Sequence, residues 1–213
     1  RDDWVDLKMF KQMLEVAIDK NADIVECNVY NAYDSYSEKY NDDQYNEYMD
    51  NYSIMEAYVK DYNIKTVVWN KLYKKKLLNG LEFAVGKYNE DEFFTYQILS
   101  KANRYVHLDD YYYNYYQREG SIMGSSFSLK KLDSLEGAIN RAMYIKENYP
   151  DLYFYPLKIT TMLCIFQYQN LLKNKNIDKD KEGRNRVKKY RKMLKWSVSD
   201  LKRAGGSFSV YAI

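Results

Sequence analysis

Ile24-Val25-Glu26-Cys27-Asn28-Val29-Tyr30 is the stretch that decides the fold class. A short run rich in β-branched and aromatic residues reads as a strand. Just upstream, Phe10, Met13, Leu14, Ala17 and Ile18 fall at i, i+3, i+4, i+7 and i+8. That spacing predicts a helix with one buried face, closed by Asn21 or Ala22. A helix running straight into an apolar strand predicts an α/β layer.

Downstream, residues 31–63 form a stretch rich in Tyr, Asn and Asp. It reads as an insertion or surface flap with one short helix, Ser53 to Tyr58. Thr66-Val67-Val68-Trp69 is apolar, and Asn70-Lys71-Leu72-Tyr73-Lys74-Lys75-Lys76 then turns basic. Most of those lysines read as a solvated turn. Tyr105 to Leu108 predicts a strand, Asp109-Asp110 a turn, and Tyr111 to Tyr116 a second strand. Beyond Ser128 the periodicity is helical throughout. Leu132, Leu135, Ala138, Ile139, Ala142 and Met143 mark an amphipathic helix that stops near Pro150. Leu157 to Leu172 is apolar nearly all round, as the central helix of a small bundle would be. Val187, Tyr190, Leu194, Val198 and Leu201 stripe a third helix whose other face is basic.

Between these parts lies Gly86-Lys87-Tyr88-Asn89-Glu90-Asp91-Glu92-Phe93-Phe94, with three consecutive carboxylates at a loop-to-helix junction. As local structure, Asn89 would be the N-cap and Glu92 would complete a capping box. Glu90 and Asp91 would then sit in the first turn, where the helix dipole favours negative charge. As chemistry, the same group is a carboxylate site.

Composition narrows the function classes. The 213 residues with 46% apolar content suffice for one solid core and an appended subdomain. Two cysteines, Cys27 and Cys164, match no metal spacing and suit a reducing compartment. A single histidine, His107, excludes a His-cluster zinc site. No apolar run reaches the roughly 18 residues of a membrane span, and no signal-peptide pattern opens the chain. Charge is uneven: Lys173 to Arg203 holds nine Lys and four Arg against three Asp and one Glu, so a basic segment follows an acidic body. The two parts are expected to face different partners.

Taken in order, Asp2-Asp3-Trp4-Val5, Ala22-Asp23-Ile24-Val25, Trp69-Asn70-Lys71-Leu72-Tyr73, Glu90-Asp91 and Tyr113 to Met123, with its Arg118-Glu119-Gly120-Ser121-Ile122, resemble the bacterial family 2 glycosyltransferases. These are inverting GT-A enzymes that build surface polysaccharides. The resemblance covers about Asp2 to Met123. It implies an α/β fold, a partial GT-A-like sheet layer with helices over 1–127, and a C-terminal helical subdomain over 128–213, helix-rich overall. Family members begin with an apolar strand and a βαβ unit that holds the nucleotide base. This sequence starts inside the Asp-x-Asp motif that follows, and is expected to be the acceptor-side part of an enzyme, inactive alone.

The resemblance also implies roles. Asp2 would bind a divalent metal, Mn or Mg, that neutralises the departing diphosphate. Asp91, with Glu90 beside it, would take the proton from the acceptor hydroxyl. Arg118 and Ser121 would close over the donor diphosphate, though a surface loop reading of Arg118 stands equally. Trp69, Asn70 and Lys71 would shape the acceptor site, with core packing the alternative for Trp69. The implied partners are a nucleotide-sugar donor and a glycan or lipid-linked acceptor. A second class of function, a non-catalytic membrane-surface or partner-binding helical module, rests on Lys188, Lys189, Arg191, Lys192 and Lys195 around Trp196. An anionic membrane surface fits this segment better than nucleic acid, because the basic residues occupy one terminal helix on an acidic body. The expected location is cytoplasmic, peripheral to the inner face of the cell membrane.

Overall fold

Alternation along a strand separates two sets of side chains. On Ile24–Ala32 it puts Val25 and Cys27 on one face of the sheet and Ile24, Glu26 and Asn28 on the other. The computed structural model describes residues 3–60, 64–118 and 127–194. Its sheet is built on two long parallel neighbours, β2 (Ile24–Ala32) and β6 (Tyr105–Tyr116). Four short strands pair antiparallel at their ends. β1 (Trp4–Val5) and β4 (Asn46–Tyr48) flank β6, while β3 (Ser37–Lys39) and β5 (Lys71–Tyr73) flank β2.

Helix α1 (Met9–Asp19) covers one face. Met9 and Met13 pack with Val25, Cys27, Val106 and Leu108. The expected apolar stripe is out of phase with this face. Phe10, Leu14 and Ile18 are 61%, 53% and 72% exposed, because it is Met9 and Met13 that meet the sheet. The helix does end as expected: Asn21 follows the C-cap at φ +47°, the left-handed closure that Asn tolerates.

Residues 31–60 are part of the sheet and its cover, not a flap. They supply β3 and β4, and then α2 (Asn51–Val59), which Asp50 caps and which buries Ile54, Met55, Ala57, Tyr58 and Val59. The polar residues there replace missing ladder bonds. The Val29 N–H donates to Asn41 Oδ1 at 2.9 Å, and Asn28 Nδ2 donates to the Asp43 carbonyl at 2.8 Å. Both bonds lie where the β2–β6 register shifts between Cys27 and Val29. That shift also corrects the reading of Asp109-Asp110. The pair is an irregularity inside one continuous strand, not a turn between two.

The second face of β2 carries a buried charge network. Lys71 Nζ lies 2.8 Å from Glu26 Oε1, with both side chains fully buried. Asn70 Nδ2 donates to the same oxygen at 3.0 Å. The Tyr105 hydroxyl donates to Oε2, and His107 Nδ1 lies 3.4 Å from it. Lys71 Nζ also donates to the carbonyls of Lys65 and Val67. One member of the lysine run is therefore a core residue. Burial alone would push the Glu26 carboxyl up, but Lys71 and His107 more than offset it and hold it well below the usual range.

The chain divides into two compact units, Arg1–Glu82 with Phe94–Ser125, and Phe83–Phe93 with Ser126–Ile213. The second unit packs α4 (Leu132–Asn148), α5 (Phe154–Lys173) and α6 (Glu182–Leu194). Its core joins Leu135, Ile139 and Ala142 to Leu157, Cys164 and Leu171, and to Val187, Tyr190 and Leu194. Helix α5 is not the enclosed centre expected of it, since Tyr155, Ile159, Met162 and Phe166 are exposed along one side. Two helices can cover only one side of a third. Val198 and Leu201 lie outside the described residues.

The Glu26–Lys71 pair sets a stability test. Lys71→Met leaves a buried carboxylate without its cation and is expected to cost about 3–5 kcal/mol in urea unfolding. Adding Glu26→Gln to that variant should recover part of the loss, because a neutral amide needs no counter-charge. A double variant as unstable as the sum of the two singles would mean that the two charges are not coupled.

Candidate active site

Helix α3 (Asp91–Leu99) starts out of a tight turn. Gly86 and Asn89 both take positive φ, +75° and +54°. Asn89 is thus not the extended N-cap that a capping box needs. Its backbone carbonyl, with Asp91 Oδ1, accepts the Glu92 N–H, each at 3.0 Å. The left-handed residue folds the chain back one position too early for a side-chain cap.

Asp91 is half-buried at the first position of the helix, and Glu90 before it is exposed. Burial, then the neighbouring Glu92 charge, then Glu90, push the Asp91 carboxyl up to about 6. The bond from the Glu92 N–H pulls the other way and loses. Sequence reasoning alone expected the helix N-terminus to depress this carboxyl. Desolvation and two like charges outweigh the dipole here.

Trp69, Asn70, Lys71 and Arg118 belong to the sheet unit. The Trp69 ring stacks on Tyr113 and Tyr115, with centroids 4.2 and 5.4 Å apart. These tyrosines are two apart on β6 and share a face, so the three rings form an aromatic wall. Trp69 is half-buried, while Asn70 and Lys71 turn inward to Glu26. Asn70 also ties the turn to β2, its Nδ2 donating to the Cys27 carbonyl at 2.7 Å. Arg118 is exposed just past the end of β6. Near the same wall, Asp3 accepts the Tyr113 hydroxyl and the Tyr116 N–H, each at 3.0 Å.

Asp2, Ser121, Lys195 and Trp196 lie outside the described residues. With both Asp3 oxygens holding β6, no group of three His, Cys, Asp or Glu side chains among the described residues could hold a metal ion. The described residues do not by themselves build a metal centre. On α6, Lys188, Lys189, Arg191 and Lys192 are all exposed, opposite the buried Val187, Tyr190 and Leu194. Among the described residues, no helix is long and apolar enough to cross a membrane.

The sequence reading missed Glu26, Tyr105 and His107. A lone Glu inside an apolar strand and the single His inside another were the available signals, since each needs a buried partner.

No family model matches the chain. It is 28% identical to glycosyltransferase GlyA of Streptococcus pneumoniae serotype 4 over 129 residues, 57% of this chain and 18% of that protein. It is 29% identical to glycosyltransferase GlyG of the same organism over 136 residues, 60% of this chain and 45% of that protein. The chain spans less than half the length of either relative. A crystal structure of S. aureus TarS 1-349 in complex with UDP-GlcNAc superposes with a TM-score of 0.53 at 19% identity, covering 95% of this chain and 53% of that one. A second crystal structure of TarS 1-349 gives 0.50 at 18% identity, covering 75% and 42%. By sequence the chain is similar to these two glycosyltransferases, and its fold is the one seen in TarS.

Proposed function

We propose that this chain is the acceptor-side part of an inverting family 2, GT-A glycosyltransferase, with Asp91 as the general base. The observation that carries the reading is Asp91 itself, half-buried between two carboxylates and raised to about 6. A base with that affinity is ionised at neutral pH and still holds a proton strongly enough to assist a hydroxyl. In the transfer, the acceptor oxygen attacks the anomeric carbon and the bond from that carbon to the diphosphate breaks. The hydroxyl proton passes to the Asp91 carboxylate, and the nucleoside diphosphate leaves with the bonding electrons. The sugar inverts because attack and departure lie on opposite sides.

The donor is a nucleotide sugar, a class supported by the UDP-GlcNAc bound in the TarS structure. The acceptor is a glycan or lipid-linked glycan in surface polysaccharide synthesis. Trp69 is the residue offered to its sugar ring, and Asn70 and Lys71 hold that residue from behind. Arg118 and Ser121 are assigned to the donor diphosphate. Asp2 is the carboxylate this chain offers to a divalent metal, Mn or Mg, which would neutralise charge on the leaving diphosphate. The exposed Lys188, Lys189, Arg191 and Lys192 fit docking on the anionic inner face of the cell membrane, with the protein otherwise cytoplasmic.

The base assignment is tested by Asp91→Asn in the complete enzyme. Transfer should fall by about a hundredfold or more, while Glu90→Gln stays near the parent. In the parent, activity should rise through about pH 6 as Asp91 ionises and level off above it. Stability should move the opposite way. A carboxyl raised in the folded state is destabilising once ionised, so Asp91's own contribution to the parent's stability falls as pH climbs from about 4 to 6. Asp91→Asn should therefore be more stable than the parent at pH 8, by about 3 kcal/mol less what solvent screening of this part-exposed group removes, and equal to it below about pH 3. Near-normal turnover in Asp91→Asn would remove the assignment.

The membrane assignment is tested with vesicles of anionic and neutral lipid at two salt concentrations. Replacing Lys188, Lys189, Arg191 and Lys192 by Gln should abolish sedimentation with anionic vesicles, each charge contributing about 1 kcal/mol. Undiminished sedimentation would leave these residues as a solvated face.

A further inference from the structure

The turn that carries Asp91 packs with the C-terminal helices, in the unit formed by Phe83–Phe93 and residues from Ser126 onward. The contacts are specific. Asp133, Glu136, Gly137 and Arg141 fall at i, i+3, i+4 and i+8, one face of α4. Lys87 Nζ lies 3.1 Å from both oxygens of Glu136 and 3.7 Å from Asp133 Oδ1. The Tyr88 N–H donates to Asp133 Oδ2 at 3.3 Å. Arg141 Nη1 lies 3.2 Å from Glu92 Oε2, an ion pair. From α6, Arg186 Nη2 reaches Glu136 Oε2 at 2.8 Å and Asp133 Oδ1 at 3.3 Å, and the Tyr190 hydroxyl donates to Glu136 Oε2 at 2.8 Å.

Gly137 supplies an independent observation. A Cβ there would stand 2.6 Å from Glu92 Cβ and 3.2 Å from the Phe93 ring. The first gap leaves no room for a methyl group and its atom is anchored to the backbone beside Asp91, while the second would require the ring to give by a few tenths of an ångström. Helix α4 can approach the first turn of α3 this closely only with glycine at that position.

We propose that α4 and α6 are the mounting of the catalytic turn: Glu136 and Asp133, braced by Arg186 and Tyr190, clamp Lys87 and Tyr88, while Arg141 and Gly137 seat Glu92, so that the helical unit sets the position of Asp91. On this proposal, which rests on Asp91 as the base, Glu136, Gly137, Arg141 and Arg186 are positioning residues and touch no substrate. The helices are then working parts of the transferase and not only an appended subdomain. The charges that act on Asp91 are Glu92 and Glu90 on its own segment, and those packed on the turn that carries it are Lys87 itself, Asp133, Glu136 and Arg141 on α4, and Arg186 on α6. Gly137→Ala changes none of them, which makes it the clean probe of position.

The test uses this chain and needs no substrate. Amide hydrogen exchange is followed by NMR for residues 87–93, with residues of α4 and α5 as internal reference, and the Asp91 carboxyl carbon is titrated. Lys87→Met and Glu136→Gln should each speed exchange at 87–93 roughly tenfold, with the α5 amides unchanged. Gly137→Ala should push the turn off α4, admit water to Asp91 and move its midpoint down from about 6 by about one pH unit. If Gly137→Ala unfolds the unit, the two charge variants decide alone, since each removes only a partly exposed group. Equal acceleration across α4, α5 and 87–93, or no acceleration with an unmoved Asp91 midpoint, overturns the proposal. If Asp91→Asn leaves transfer intact while these local responses occur, the base assignment fails and the mounting stands.

Discussion

A carboxylate cannot be taken out of water without a partner, and Glu26 in the middle of β2 is fully buried. Much of the sheet unit is arranged to meet that requirement. Lys71 comes from the neighbouring β5, Tyr105 and His107 from β6, and Asn70 from the turn before β5. These bonds link three strands on the face that α1 does not cover. They also determine where Trp69 goes. The residue next to two buried anchors has little freedom, and the Tyr113 and Tyr115 rings take up what remains. A polar core of this kind adds little net stability over an apolar one. What it fixes is the position of the turn at residues 65–70, through the carbonyls of Lys65 and Val67.

The helical unit handles charge differently. Asp133, Glu136, Lys87 and Arg186 are buried or half-buried, with two acids facing two bases and a tyrosine hydroxyl. Burial pushes Glu136 up, and Tyr190, Lys87 and Arg186 together bring it below the usual range. Such a network directs a turn without needing regular structure in it. Gly86 and Asn89, both at positive φ, supply the bends that let Lys87 and Tyr88 meet α4.

Periodicity in the sequence was enough for α4, α6, β2 and the end of α1 at Asn21, because each is set by local spacing or a single backbone preference. It failed where tertiary packing chose between two adequate answers. The α1 sequence is apolar on two sides, and only the sheet decides that Met9 and Met13 face inward. Asp109-Asp110 looks like a turn, yet β2 continues alongside and keeps β6 extended across the pair. Lys71 resembles its solvated neighbours until a buried acid on another strand is known. Asp91 and Trp69 stood out through a motif order, whereas Gly137 and Glu136 carry no motif. Their role exists only as a distance to the turn, and no reading of residues one by one could show it.

With Asp91 proposed as the base, its carboxyl is the point on which stability and chemistry pull apart. At the start of a helix, exposed and alone, it would be held low by the dipole and would be a poor base. The fold instead half-buries it and sets Glu92 and Glu90 beside it, and both moves raise its proton affinity. Each also makes the ionised form less stable, a cost a merely structural helix start would avoid by leaving the acid in water. Arg141 answers Glu92, at 3.2 Å. On the proposed assignment of Asp91 as the base, a carboxyl raised by burial and by two like charges is the arrangement expected, because its proton affinity is then what the site uses.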